Sequence, residues 1–379
     1  MTTQLTRREL LTTSAASLLG ACVSPASAAD TTDFSFPLLG DLHFDRLVHH
    51  DRQWLQKEKP NDVRQVENYR RITREVMPAL FAEIKAQIAA QKSPVPFAVH
   101  VGDFVEGLAG TPELALTHCR DAVAFVEAAK IEAPFLFCKG NHDVTGPGTV
   151  EAFNTVLLPY LARQAKQALP STSAFSMRRG NALFAYFDAY DDPAGKGLNN
   201  LAKTLAARGD AAHVFVVIHP PVVPYGARSN WHLFAKPAES AARSRLLNLL
   251  GANHAIVLCG HLHKYGTVVR QTDAGAFAQI ATVSVVPTPD IQPKDTVSGI
   301  NEYTPDLVRL EPNFSPANLS ERRDLLAAEA PFIRHYDHAD ASGYAMVHVK
   351  SGAVTVDLYT GLGKRLWKTV PVTDLLRKA

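Results

Sequence analysis

Residues 259–265 read CGHLHKY: a glycine and two histidines one residue apart, directly behind the apolar run Ala255-Ile256-Val257-Leu258-Cys259. A chain with 15 histidines places some of them close together by chance, so partners elsewhere must decide whether His261 and His263 are metal ligands. Four other apolar runs end in the same kind of chemistry. The first gives Gly40-Asp41-Leu42-His43, the next Gly102-Asp103, the third Gly140-Asn141-His142-Asp143, and the fourth His219-Pro220-Pro221. Each alone is ordinary turn chemistry. Together they predict carboxylates, imidazoles and an amide gathered at one edge of one sheet.

The runs are strand candidates because they are short, rich in Val, Ile, Phe and Leu, and bounded by polar loops. They cover Phe34–Leu39, Pro96–Val101, Pro134–Cys138, Ala182–Phe187, His213–Ile218, Ala255–Cys259 and Phe277–Val286. Between the first two, Val63, Val66, Tyr69, Ile72, Val76, Leu80, Ile84 and Ile88 recur at threes and fours, which predicts one helix with one apolar face. Thr111-Pro112-Glu113 reads as a capped helix start. Residues 150–168, 198–208 and 237–250 also read as helices. Strand–helix alternation with polar residues at strand ends is the pattern of a layered α/β domain, whose sites lie at the carboxyl ends of strands. From 288 to 341 the chain turns rich in Pro, Asn, Asp and Arg, apart from a short helix near Ser320–Ala330, and reads as an insertion or cap. Residues 342–379 return to strands that complete the fold: Tyr344–Val349, a turn at Lys350-Ser351-Gly352, Ala353–Tyr359, and a last run through Leu366–Val372.

Length and composition fit a globular protein: 379 residues with 46% hydrophobic content supply a sizeable core. With 39 basic and 37 acidic residues the net charge is +2, so no overall field points to nucleic acid or an anionic membrane surface. Residues 1–29 stand apart. Thr6-Arg7-Arg8-Glu9-Leu10-Leu11, followed by a mild apolar stretch through Val23, resembles a Tat export signal, with the Tat machinery as partner. Two cleavage readings compete. Leu19-Gly20-Ala21-Cys22 looks like a lipobox that would anchor the chain through Cys22, whereas Ala26-Ser27-Ala28 is an ordinary signal-peptidase site. The expected location is periplasmic or cell-envelope. Three cysteines remain, an odd number that argues against a disulfide framework. Cys138 and Cys259 read as buried thiols.

In order, D-x-H, GD, GNH, H and GHxH resemble the blocks of the calcineurin-like metallophosphoesterases, and they span residues 40–263. The resemblance implies an α/β/β/α two-sheet sandwich over residues 30–287 with two divalent metal ions, Mn, Fe, Zn, Co or Ni. Asp41, His43 and His263 would bind the first ion, Asn141, His219 and His261 the second, and Asp103 would bridge them. It also implies a phosphoesterase in which a hydroxide between the ions attacks phosphorus. His142 takes the role of acid or phosphate contact, and Glu106, three residues after Asp103, that of the carboxylate that orients it. Two departures narrow the subfamily. GDFVEGL and KGNHD replace the GDxxDRG and RGNHE of Ser/Thr protein phosphatases, and Glu106 stands where purple acid phosphatases place a ligating tyrosine.

What remains favours a small phosphodiester or nucleotide substrate, with a periplasmic phosphomonoesterase as alternative. The alternative from another class is a metal-stabilised, non-catalytic envelope binding protein, whose mark would be a missing ligand. Beyond His219, Arg228 is a candidate for gripping phosphate, and Trp231 and Tyr225 for stacking on a base. His49, His50, His335 and His338 read as surface loop histidines, and His100 as a hydrogen-bonded core residue. His118, His213, His254 and His348 show no role.

Overall fold

The computed structural model describes residues 33–169, 171–190, 196–312, 319–363 and 365–379. The Tat, lipobox and Cys22 readings fall outside them. Among the described residues no helix is long and apolar enough to cross a membrane.

The chain runs through fourteen strands in the described residues. The first seven are β1 (Phe34–Leu39), β2 (Ala98–His100), β3 (Phe135–Phe137), β4 (Phe175–Arg179), β5 (Ala182–Tyr186), β6 (His213–Val217) and β7 (Ile256–Cys259). The remainder are β8 (Tyr265–Thr272), β9 (Gly275–Ala281), β10 (Lys294–Ser298), β11 (Ile333–Asp340), β12 (Gly343–Lys350), β13 (Ala353–Thr360) and β14 (Arg365–Val370). They form a six-stranded sheet, β14-β13-β12-β1-β2-β3, and an eight-stranded sheet, β10-β11-β8-β9-β7-β6-β5-β4. The ligand-bearing runs lie in the parallel parts: β1, β2 and β3 in one sheet, and β6 and β7, flanked by β5 and β9, in the other. Parallel strands expose their carboxyl ends on one side, and two such sets face each other here.

The sheets meet through aromatic rings. Phe36 of β1 lies 5.5 Å from Phe184 of β5 and 5.7 Å from Phe215 of β6, and Phe97 packs edge-on against Phe184 at 5.0 Å. Ile72, Leu80, Phe81, Ile84, Ala115 and Val123, from three helices, bury against the first sheet in this core. A separate apolar layer joins Leu198, Leu201, Leu246 and Leu250 to Val214, Val216 and Val257 on the second sheet. The result is the two-sheet α/β/β/α sandwich. Cys119, Cys138 and Cys259 are buried free thiols.

The structure departs from the sequence expectations where local chemistry was overlooked. The single helix expected through Ile88 breaks at Val76, giving helices Val63–Glu75 and Met77–Ala90. Pro78 explains the break, because inside a continuous helix it would lose a hydrogen bond and crowd the preceding turn. Within residues 288–341, expected as an insertion or cap, β11 pairs along its length with β8, and β10 pairs with β11 at the sheet edge. Neither strand shows an apolar run, since Asp337 and His338 are buried polar residues within β11. His49, His50 and His338 are buried rather than on surface loops, and His335 sits in β11 with Nε2 2.7 Å from Asp337. Asp45 draws His50 inward, 2.6 Å from its Nε2, and Asp121 meets His49 at 3.0 Å. His100 is core but not hydrogen-bonded: neither ring nitrogen has a partner, and burial lowers its pKa to about 3, which keeps it neutral.

Phe36 touches rings from both sheets, so Phe36→Ala should cost about 3–5 kcal/mol. A denaturant midpoint, measured by circular dichroism, checks this.

Candidate metal centre

Each carboxyl-terminal strand end turns immediately, and the turns are cross-linked by backbone. The Asp41 N–H donates to the Gly102 carbonyl at 3.0 Å, the His43 N–H to the Asp103 carbonyl at 3.0 Å, and the Gly260 N–H to the His219 carbonyl at 2.9 Å. The five turns come from both sheets, β1, β2 and β3 on one side and β6 and β7 on the other, rather than from one sheet as the sequence suggested. Asp41, His43, Asp103, His261 and His263 all have φ between 46° and 76°. Non-glycine residues rarely hold this left-handed conformation, which costs on the order of 1–3 kcal/mol each and concentrates at functional sites. The D-L-H and H-L-H turns share a pattern: a buried leucine, Leu42 or Leu262, between two left-handed residues that bear the polar groups.

Two preceding glycines make the approach possible. A Cβ on Gly140 would lie 2.1 Å from Asp103 Oδ1, and one on Gly260 would lie 2.3 Å from Asp41 Oδ2. Neither position has room for a side chain.

All seven expected ligands converge, in two sets. In the first, His43 Nε2 faces His263 Nε2 at 3.0 Å, with Asp41 Oδ1 3.5 Å from His263 Nε2. In the second, Asn141 Oδ1 lies 3.0 Å from His219 Nε2 and 2.8 Å from His261 Nδ1, and the two imidazole nitrogens are 3.1 Å apart. Asp103 Oδ2 lies between the sets, 3.1 Å from His219 Nε2 and 3.6 Å from His43 Nε2. This donor set fits divalent cations. Donor atoms bound at about 2.0–2.1 Å and roughly at right angles stand about 3 Å apart. Facing imidazole nitrogens hold at most one proton between them, whereas a cation uses both lone pairs. Asp41 Oδ2 is buried with no hydrogen-bond partner, a costly state that an ion would relieve.

A family model, calcineurin-like phosphoesterase, matches residues 35–265. The chain belongs to this family and is a phosphoester hydrolase. The family and the His/Asp clusters together point to a dinuclear divalent metal site. No curated protein matches the sequence. Among solved structures, a dimetal phosphatase from Danio rerio superposes with a TM-score of 0.52 at 14% identity, covering 89% of this chain and 99% of that one. A purple acid phosphatase from yellow lupin seeds gives a TM-score of 0.52 at 10% identity over 89% of this chain. The chain spans only 53% of the lupin protein. These likenesses are of fold.

Around this phosphoesterase centre, Glu106 is buried and has contacts beyond His142. Its Oε2 lies 2.6 Å from His43 Nδ1, its Oε1 accepts from Gln65 Nε2 at 2.9 Å, and its backbone carbonyl accepts from His142 Nδ1 at 2.8 Å. The carboxylate therefore backs a candidate ligand first and His142 second, at 3.4 Å. Burial pushes the Glu106 pKa up to about 8, with His142 opposing. Burial alone would depress His142, but the Glu106 and Asp103 carboxylates outweigh it and raise the imidazole to about 9.

Three contributors escaped the sequence reading. Gln65 and Tyr69 come from the helix Val63–Glu75; the Tyr69 ring stacks on His43 at 4.4 Å, and its hydroxyl lies 3.3 Å from His263 Nδ1. Asp143 accepts from the N–H groups of Phe104, Val105 and Gly140 at 2.8–3.1 Å, tying two ligand turns together. Its place directly after GNH was the available signal.

A cleft of about 230 Å³ opens over the centre, with Gln65, His142, Arg228 and Trp231 in its walls. Trp231 is 38% exposed and its ring lies 4.5 Å from that of His261. Tyr225, expected to stack on a base, is instead fully buried, with its hydroxyl donating to the Lys264 carbonyl at 3.2 Å.

Gly260→Ala should displace Asp41 and lower metal affinity about 10–100-fold, the usual cost of disturbing a ligand's support. Metal titration of the variant, beside its thermal midpoint, tests this.

Proposed function

We propose that the chain is a two-metal phosphoesterase acting on phosphodiesters or nucleotides, exported by the twin-arginine route to the periplasm or cell envelope. One observation carries it: seven donor side chains from five strand ends form two sets that share Asp103. In this reading Asp41, His43 and His263 hold one ion, Asn141, His219 and His261 hold the other, and Asp103 serves both. Bound divalent ions supply Lewis acidity toward phosphoryl oxygens and acidify water.

The chain's own groups do the rest. His142 Nδ1 faces the Glu106 carbonyl, so Nδ1 is the N–H and Nε2 is left to hold a proton for the leaving oxygen. Glu106, on His43 Nδ1, fixes that ring with Nε2 toward the centre. Arg228, in the cleft wall, meets a phosphoryl oxygen, and Trp231 offers an aromatic face to an ester arm. That second wall favours a diester over a bare monoester. Arg7 and Arg8, with the apolar stretch behind them, support export.

Two experiments test the reading. Chain stripped of metal and resupplied with Mn, Zn, Fe, Co or Ni should hydrolyse bis-p-nitrophenyl phosphate faster than p-nitrophenyl phosphate, and Asp103→Asn should abolish both. Two bound ions per chain with no hydrolysis would favour a binding protein instead. His142→Asn should slow an alkyl diester, whose leaving group needs a proton, by about 10²–10⁴-fold. The nitrophenyl diester should suffer far less. Equal losses on the two substrates would rule out the acid role.

A further inference from the structure

Residues 218–236, which carry Arg228 and Trp231, form no helix or strand, and residues 218–227 are buried throughout. A buried loop must find partners for its backbone groups elsewhere. Here side chains supply them. The Val222 and Val223 carbonyls accept from Arg243 Nη1 at 2.8 Å and Gln279 Nε2 at 3.0 Å. The Pro224 and Tyr225 carbonyls accept from the Tyr303 hydroxyl at 2.5 Å and the Tyr336 hydroxyl at 2.7 Å. The Ala227 carbonyl accepts from Arg322 Nη2, and Asn230 Nδ2 donates back to the Arg322 carbonyl at 2.6 Å.

The three donors whose acceptors lie nearest Arg228 in sequence all come from the stretch between β9 and β12. Tyr303 follows a short 3-10 turn, Arg322 lies on the helix Leu319–Glu329, Tyr336 lies in β11, and all three are fully buried. The same segment reaches the metal turn: Arg322 Nη1 donates to the Glu311 carbonyl at 3.0 Å, while the Glu311 carboxylate pairs with Lys264, beside His263, at 2.8 Å. At its far end the helix is anchored by Glu329, paired with Arg243 at 2.5 Å and Arg270 at 2.7 Å.

We propose that Tyr303, Arg322 and Tyr336 are positioning residues for substrate affinity: they hold the Pro224–Trp231 stretch so that Arg228 meets a phosphoryl oxygen and Trp231 the second ester arm of a phosphodiester. The inference rests on the cleft reading above. It makes Tyr303, Arg322 and Tyr336 the support of the specificity wall, while the strand ends hold the chemistry.

The test uses the manganese-loaded full chain and bis-p-nitrophenyl phosphate. Tyr303→Phe with Tyr336→Phe removes two hydroxyls without opening a cavity, and leaves two buried carbonyls unpaired. The expected result is a KM raised about tenfold, equivalent to about 1.4 kcal/mol, with kcat within twofold and two ions per chain retained. Arg322→Met should act likewise, and Arg322→Lys should recover part of the loss. An unchanged KM alongside a lowered thermal midpoint would mean that these residues only stabilise the fold, and would overturn the proposal. Trp231→Ala separates the role of the cleft wall from that of the residues behind it. If it raises KM while the double variant does not, the positioning role fails and the cleft reading stands. If Trp231→Ala leaves KM unchanged, the cleft reading fails and the proposal falls with it.

Discussion

The constraint on which this structure depends is how closely five turns must approach to bring their polar groups to one place. Backbone of the Gly140 turn sits against the Asp103 carboxylate, and backbone of the Gly260 turn against that of Asp41. Five of the converging residues hold left-handed backbone to achieve it. That concentration of strain, like charge and facing lone pairs is unfavourable by itself. It persists because the turns are hydrogen-bonded to each other, because Asp143 ties two of them together, and because the strands behind them are locked by the aromatic contacts between the sheets.

Much of this was legible in the sequence, because parallel strands announce themselves as short apolar runs and their ends carry the chemistry. The run Phe34–Leu39 is β1 itself, and five of the other six runs end within one residue of a strand, whereas Phe277–Val286 extends five residues past β9. The pattern could not show that the ends are divided between two sheets, since a run of Val, Ile and Phe looks the same in either. β8 and β11 are harder to read for a different reason: buried polar residues, Thr267, Arg270, Asp337 and His338, alternate with their buried apolar ones, Val268, Val269, Ile333 and Tyr336, and break up the apolar run.

The groups that support the centre were the hardest to read. Gln65 and Tyr69 lie on a helix whose periodicity explains Tyr69 as a core residue, and nothing local reveals that its ring covers His43. Glu106 was expected beside His142, yet its carboxylate sits closer to His43, a preference set by how the turn after Asp103 folds back. Tyr225 misled for the opposite reason. An aromatic directly before a glycine in a polar-looking loop resembles a stacking platform, but that loop is buried and the ring fills the core behind the cleft.

The division of donors between the sheets has a mechanical meaning. Asp41 and His43 belong to one layer and His263 to the other; Asn141 belongs to the first and His219 and His261 to the second. A cation held by either set would be bonded across the sandwich, as a rivet through two plates. Affinity for the ion and alignment of the layers would then be one free energy viewed from two sides. Anything that slides one sheet past the other, however distant, acts on the chemistry through that shared fastening.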